Sequence, residues 1–420
     1  MAKPKATSEN IYVGLDIGTT KIRAVVARKN QEDGVDILGL GSAESTGIRK
    51  GVVINIDATV NAIKDAVHEA ERMSGVEIKS ACVGIAGGHI KSFNSRGVIA
   101  VKNGEVMQND VTRVIESAAA VNIPAGYEVL HVLPQQFILD GQTEIKDPIG
   151  MSGVRLEVEV HIVTGAVASA ANVTKSCQRA GIVVEDIFLE QLAASEAVLS
   201  DDEREIGVCL IDGGGGTTDM AAFNRGAVYH TAVLQIGGNN FTHDLTVGLS
   251  TSEKEAEKLK MRHGCVWMDM VSPDDVVEVA SVGGRPGRKI ARPVLTQILQ
   301  ARAEEVFTIF AGEFQKKNLA YMFSAGVVLS GGMANLEGVE ELATDVLGVP
   351  VRIGRPSNIG GLSDMVQDPI YATSVGLALL HAKKGKSSNA IVTSTGTSGS
   401  EEKMFGDIWS RMRAWLAEFF

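Results

Sequence analysis

The sequence predicts an α/β fold with two sheet-bearing lobes, an inserted α/β subdomain, and an amphipathic helix on a flexible linker. Three observations predict it. Strand-like apolar runs alternate with helical patterns along most of the 420 residues, which is the rhythm of parallel or mixed sheets. One strand–turn unit occurs twice, as V-G-L-D-I-G-T-T-K at 13–21 and I-D-G-G-G-G-T-T-D at 211–219. From 383 the texture turns to Lys, Ser, Thr and Gly, and from Met404 to a strongly amphipathic segment.

Runs 11–16 and 22–28 read as strands joined by the first Gly-Thr-Thr turn, and 35–44 as a third. Asp57 is placed to cap a helix reaching about Ser74, with Gly75 as its stop. A buried strand follows at 81–85. Residues 85–162 then form the insert, with strands at 90–101, 128–139 and 154–164, a helix at 109–121 and a Gly/Pro-rich loop at 141–153. Val154, Leu156, Val158, Val160 and Ile162 alternate cleanly, so they share one face of a strand. Beyond the insert come a helix at 166–180 stopped by Gly181, a strand at 183–189 and a helix at 190–199. After the second glycine turn, strands at 220–223 and 228–234 precede a mostly helical stretch opened by Gly237-Gly238. Residues 271–292 read as loop and strand, and a long helix runs from Pro293 to about Asn318. A strand at 326–329, a third glycine turn at Ser330-Gly331-Gly332, a short strand at 350–353 and a helix at 371–382 finish the folded part.

Composition removes several classes of function. A net charge of −11 argues against nonspecific nucleic-acid binding. Cys82, Cys177, Cys209 and Cys265 have no short paired spacing and read as reduced core residues of a cytosolic protein. The eight histidines lack metal-ligand spacing, so no structural zinc is expected. Residues 1–10 hold no apolar signal core, and no window approaches the length of a membrane span.

The glycine turns carry the chemistry. Successive glycines leave no Cβ in the way, so backbone N–H groups can close on an anion. Aspartates beside the turns suit a hard cation such as Mg²⁺, which prefers oxygen ligands and retained waters. One such turn alone also fits a flexible hairpin, whereas two in one chain point to the halves of a clamp. At the far end, Met404, Phe405, Ile408, Trp409, Met412, Trp415, Leu416, Phe419 and Phe420 fall on one helical face. A helix of this length is too short to span a bilayer and suits the membrane interface, with gross apolar burial of about 10 kcal/mol. Docking onto a partner or onto the chain's own body is the other reading of that face.

These motifs resemble the nucleotide-binding set of the actin, heat-shock-chaperone and sugar-kinase superfamily. Asp16, Gly18, Thr19, Thr20 and Lys21 match its first phosphate turn; Asp212, Gly214, Gly215, Gly216 and Thr217 match its second. F-L-E-Q-L-A-A at 188–194 resembles the first connecting helix, and the stretch from Ala372 to Leu377 the second. Gly331 and Gly332 fit the adenosine turn, with Glu257 and Lys260 beside the adenosine. Within the superfamily, I-K-D-P-I-G-M-S-G-V-R at 145–155, V-G-G-R-P at 282–286 and the insert–linker–tail arrangement are most similar to the bacterial cell-division family FtsA. Gly213 departs from the pattern by replacing an apolar residue, which is expected to loosen that turn.

The resemblance implies an actin-like two-lobed ATPase fold. Its parts are 10–84 with 163–190 and 358–382, the insert 85–162, 191–236 with 306–357, and a small subdomain 237–305. The linker 383–403 and the membrane-targeting helix 404–420 complete the chain. It implies ATP with Mg²⁺ held by Asp16 and Asp212, mostly through water. Glu190 would orient the hydrolytic water in a weak or regulatory ATPase; a carboxylate stabilised by its helix N-terminus is the alternative. The implied role is to self-assemble and to tether the tubulin-like FtsZ ring to inner-membrane lipids on the cytoplasmic face at the division site. Other division proteins would bind the insert, and the FtsZ tail would dock near Arg285, Arg288, Lys289, Arg292 and Arg302. Two other readings stand beside it: an adaptor of another envelope machine such as pilus assembly, and a soluble small-molecule kinase.

Overall fold

The computed structural model describes residues 11–30, 34–280 and 286–388. Arg285, the linker past 388 and the amphipathic segment 404–420 lie outside the described residues.

The first lobe opens with the antiparallel strands β1 (Ile11–Ile17), β2 (Lys21–Lys29) and β3 (Val35–Glu44), then a small hairpin of β4 (Ile48–Arg49) and β5 (Val52–Val53). Helix α1 (Ile56–Ser74) is capped by Asn55, whose side chain accepts the Ala58 N–H; Asp57 falls in the first turn instead. Gly75, at φ 71°, ends the helix in the left-handed region where a missing Cβ costs nothing. Strand β6 (Ser80–Ile85) follows. The insert comprises β7 (Lys91–Ala100), α2 (Gln108–Ala119), β8 (Tyr127–Leu139), β9 (Gln142–Ile145) and β10 (Arg155–Ala166). The chain returns through α3 (Val167–Ala180), β11 (Val183–Leu189), α4 (Glu190–Val198) and α5 (Asp201–Ile206). The second lobe holds β12 (Val208–Gly213), β13 (Thr218–Asn224), β14 (Ala227–Leu234), α6 (Gly238–Gly248), α7 (Glu253–His263), β15 (Val276–Val279), β16 (Arg288–Ala291), α8 (Arg292–Lys316), β17 (Val327–Ser330), α9 (Val339–Leu347) and β18 (Val351–Ile353). Finally β19 (Ile359–Gly361) and α10 (Ala372–Ser388) rejoin the first lobe.

The two main sheets are copies of one plan. One runs β11-β6-β1-β2-β3-β19 and the other β18-β17-β12-β13-β14. In each, a three-stranded meander is extended by parallel strands on the side of its first strand. The glycine turns are the first hairpin bends of the two meanders. Asp16 pairs in register with Arg23, and Asp212 with Asp219.

Helices α4 and α10 join the lobes. A Cβ on Gly376 would come 1.7 Å from the Ala193 carbonyl oxygen, and one on Gly14 would come 2.1 Å from that of Ser374. α10 is thus wedged against α4 and β1 at backbone contact. One hydrophobic core continues from Val25 and Leu189 through Ala194 and Val375 to Leu210 and Phe223.

The insert has its own core, in which Val111, Val114 and Ile115 of α2 meet Leu156, Val158 and Ile162 of β10. Its seam with the second lobe combines apolar side chains, Leu133 and Val163 in one core with Phe223 and Val228, with polar contacts. His161 bonds Asn94 through Nδ1 (2.7 Å) and Thr231 through Nε2 (2.9 Å), and the Gln135 amide donates to the Val228 and Tyr229 carbonyls. Burial, with His230 and Lys317 nearby, lowers the His161 pKa to about 3. Lys146 pairs with Glu205, and Arg225 with Glu144, at the rim.

The structure adds elements to those expected above. β9 lies inside the expected 141–153 loop, because Asp140 and Gly141, at φ 50° and 88°, fold the chain back in a tight turn. α5 begins with a reciprocal cap between Ser200 and Glu203. α10 continues past the expected end at 382; Lys383 pairs with Glu196, and Lys384 with Asp186.

Candidate functional site

Asp16 and Asp212 sit at the C-terminal ends of β1 and β12, both buried. Ligands of open α/β sheets bind at such strand ends. The Ser330 hydroxyl donates to one Asp212 oxygen (2.9 Å) and the Thr373 hydroxyl to the other (3.0 Å). Asp16 has the Arg23 guanidinium at 3.8 Å, itself stacked over Tyr371.

Two further carboxylates share this volume. Asp219, opposite Asp212, accepts a hydrogen bond from the Thr217 hydroxyl (2.8 Å), while its other oxygen is buried with no partner. Glu190 opens α4 and lies against Gly84, where a Cβ would come 2.9 Å from its Cγ. Burial is the main force on all four, since it penalises the charged form. It raises Asp16 to about 6, against Arg23 and with Asp212 adding to the rise. It raises Asp212 against the bonds from Ser330 and Thr373. It lifts Asp219 to about 8, with Asp212 adding, and pushes Glu190 well above its usual range with help from Asp16, Asp219 and Asp212. Asp212 thus adds to the rise of each of the other three acids.

The two glycine turns abut. A Cβ on Gly215 would come 2.5 Å from Thr20 Cγ2, and one on Gly216 would come 2.4 Å from Thr19 Oγ1. Gly18 packs at its own turn against the Lys21 carbonyl, and Lys21 is exposed at the first position of β2. The Gly214 N–H closes the second turn on the Thr217 carbonyl, and the start of α6 is seated on it through Gly238 N–H to Gly214 O (2.9 Å). Lys260 braces that seat by donating to the Gly238 carbonyl (2.9 Å) and pairing with Glu257 (2.7 Å). Gly331, at φ 74°, brings the third turn against Asp212, and Gly332 lies beside the Gly213 carbonyl. Gly213 does not loosen anything. It is the last residue of β12, and a Cβ there would come 2.4 Å from that of Met333.

The structure therefore brings together Asp16, Gly18, Thr19, Thr20, Asp212, Gly214, Gly215, Gly216, Thr217, Gly331 and Glu190, with Glu257 and Lys260 one layer out. It adds Asp219, Ser330, Thr373 and Arg23. Asp219 was visible as the last residue of the second motif. The hydroxyl partners come from distant strands and helices and left no local signal. Among the basic residues around 285–302, Arg288 donates to the Leu249 carbonyl (2.5 Å) and Lys289 is exposed. Arg292 pairs with Asp275 and Glu337, and Arg302 with Asp244 and Glu305.

The donor set fits Mg²⁺ with a polyphosphate. Hard carboxylate oxygens, one of them buried and unpartnered, lie beside glycine turns whose backbone carries no Cβ. Among the described residues no group of three His, Cys, Asp or Glu converges closely enough to ligate a metal directly.

Sequence comparison decides the family. Residues 209–376 match the profile described as cell division protein FtsA, and 87–164, the β7–β10 insert, match the SHS2 domain inserted in FtsA. A cell division protein FtsA from Pseudomonas aeruginosa is 42% identical over 97% of this chain and 98% of its own length. The chain belongs to the FtsA family of cell-division proteins. The Escherichia coli FtsA is 37% identical over 99% of this chain and 100% of its own. Among solved structures, a PilM–PilN type IV pilus biogenesis complex matches with a TM-score of 0.63 at 16% identity, over 88% of this chain and 98% of that one. MreB 5 of Spiroplasma citri bound to AMPPNP matches with a TM-score of 0.56 at 16% identity, over 92% and 100%. At such identities the likeness shows the fold alone: this FtsA-family chain is an actin-like ATPase fold carrying an SHS2 insert.

Proposed function

We propose that this FtsA-family chain binds ATP with Mg²⁺ between its glycine turns, and in that state self-assembles and tethers the FtsZ ring to the cytoplasmic face of the inner membrane. The observation that carries the reading is the meeting of Thr19 and Thr20 with Gly215 and Gly216 beside the buried Asp16, Asp212 and Asp219 and the partly buried Glu190.

Asp16 and Asp212 would hold the hydrated metal, and the backbone N–H groups of both turns the phosphates. Bound there, the metal supplies the charge that neutralises phosphate oxygens. Asp212 is kept in place by Ser330 and Thr373, so its oxygens need no reorganisation when a cation arrives. Glu190, whose pKa is raised well above its usual range by burial and then by its acidic neighbours, would orient a water once a cation offsets that rise. That coupling fits slow, regulatory turnover. Ligand shared between the turns holds the lobes closed, and the segment 404–420 would deliver the assembly to lipid.

Co-sedimentation with inner-membrane-like vesicles tests this. The full chain should pellet and carry FtsZ with it in the presence of ATP and Mg²⁺, while residues 1–403 should stay in solution. Asp212→Ala should lose nucleotide-dependent assembly and still pellet. Equal pelleting of the full and shortened chains would sink the tether.

A further inference from the structure

We propose that Lys50, on the turn between β4 and β5, is a phosphate-binding residue of this site. The proposal rests on the nucleotide reading above.

The β4–β5 turn lies between the two glycine turns and touches both. The Gly51 N–H donates to Thr19 Oγ1 at 3.0 Å. A Cβ on Gly216 would come 2.9 Å from the Lys50 Cα. The far side of the turn is held as well: a Cβ on Gly51 would come 2.9 Å from the Ala86 carbonyl carbon and the Gly87 nitrogen, and one on Gly87 would come 3.1 Å from the Lys50 carbonyl oxygen. Lys50 and Gly51 both have positive φ, 50° and 74°. A lysine in that conformation carries a backbone cost that an asparagine or glycine would lower. The chain bears that cost where Lys50 Cα sits against the phosphate cradle.

Charge supplies the reason. The site gathers Asp16, Glu190, Asp212 and Asp219, and Arg23 is the cation that lowers Asp16 and Asp212 from within the fold. A nucleoside polyphosphate brings further negative charge, so one hydrated divalent ion would leave the complex anionic. Lys50 is exposed, and among the described residues no carboxylate pairs with it. Its four-carbon stem gives a compact ammonium the reach to meet a phosphate held beside the contact of Thr19 with Gly216. Lysine serves phosphate as a point charge, which tolerates approach from a flexible stem.

Titration of the full chain with a fluorescent N-methylanthraniloyl-ATP in the presence of Mg²⁺ tests the assignment. Lys50→Gln keeps the stem and removes the charge, and should weaken binding about tenfold to a hundredfold. The dependence of affinity on salt should shrink with it. Lys50→Arg should restore most of the affinity, and Lys64→Gln, an exposed lysine on α1, should change nothing. Thermal melts of the unliganded variants should coincide with wild type, since Lys50 makes no ion pair to lose. Wild-type affinity in Lys50→Gln, with Asp212→Ala still abolishing binding, overturns the role of Lys50 and leaves the nucleotide reading intact. Absence of binding by the wild-type chain overturns both.

Discussion

Replacing Asp219 by Asn probes the charge balance of the site most directly. In the folded chain this carboxyl titrates at about 8 instead of 3.8, chiefly because it is buried, with one oxygen unpartnered and Asp212 opposite. An acid with a raised folded pKa holds its proton more tightly folded than unfolded, so stability is full below 3.8 and falls as pH rises towards 8. The gap spans about four pH units, which at 1.36 kcal/mol per unit is about 6 kcal/mol by pH 8 and about 4 kcal/mol at pH 7. Asn removes that loss and keeps an acceptor for the Thr217 hydroxyl. It also buries an amide where the unpartnered oxygen lay, at a cost of about 1–3 kcal/mol. The expected net at pH 7 without nucleotide is a gain of about 1–3 kcal/mol. Melts followed by circular dichroism from pH 5 to 8, without nucleotide or Mg²⁺, measure it. Wild type should lose stability with pH, and Asp219→Asn should flatten that slope and lie above wild type from about pH 6 upward. A parallel slope in the two proteins, or destabilisation of the variant by the same amount at every pH, would refute the reasoning.

Other expectations follow from the same geometry. Glu190→Gln should leave ATP affinity within about threefold and remove most phosphate release, because the side chain acts on water and not on the turns; loss of binding instead would make it a structural carboxylate. Gly376→Ala should destabilise the fold by about 3 kcal/mol or more, since its Cβ would sit 1.7 Å from a backbone oxygen and α4 cannot yield without moving both lobes. At the insert seam, His161 titrates at about 3 folded against 6.5 ordinarily, so its contribution is intact above pH 6.5 and lost as pH falls towards 3. At pH 5 that is about 2 kcal/mol. Limited proteolysis should accordingly release the insert faster at pH 5 than at pH 7, and His161→Gln should abolish the difference.

Sequence pattern revealed the parts of this molecule that local chemistry controls. The two Asp-Gly-Thr turns, the helix stops at Gly75 and Gly181, and the alternation of β10 are written in neighbouring residues. So was the insert, because its texture differs on both sides. β9 was signalled by the Asp140-Gly141 pair, a two-residue hairpin signature, but its four residues include one buried apolar side chain, Ile145, so no alternation marks the strand. The N-cap of α1 was misplaced by two residues, as Asn55 and Asp57 are both good caps and it is the Asn55 side chain that accepts the Ala58 N–H. Ser330 and Thr373 escaped notice as partners of Asp212 because they lie 118 and 161 residues away. Gly213 looked like a departure within a loop and proved to be a packing requirement imposed by Met333, a residue no local reading connects to it.

α10 offers one more consequence. Its first turn supplies the hydroxyl that holds Asp212, and its later turns are pinned by His381, which accepts the Val13 N–H and bonds Glu185, and by Lys384 on Asp186. From Thr373 to Lys384 the helix is a rod of roughly 16 Å, in backbone contact with β1 and α4 along the way. The chain that continues from it is the one proposed to grip the membrane. Tension along that tether would arrive at the same rod that steadies Asp212. On the proposed function, a filament bending a membrane would bias its own nucleotide sites, with the lipid surface acting as a mechanical ligand of the cleft.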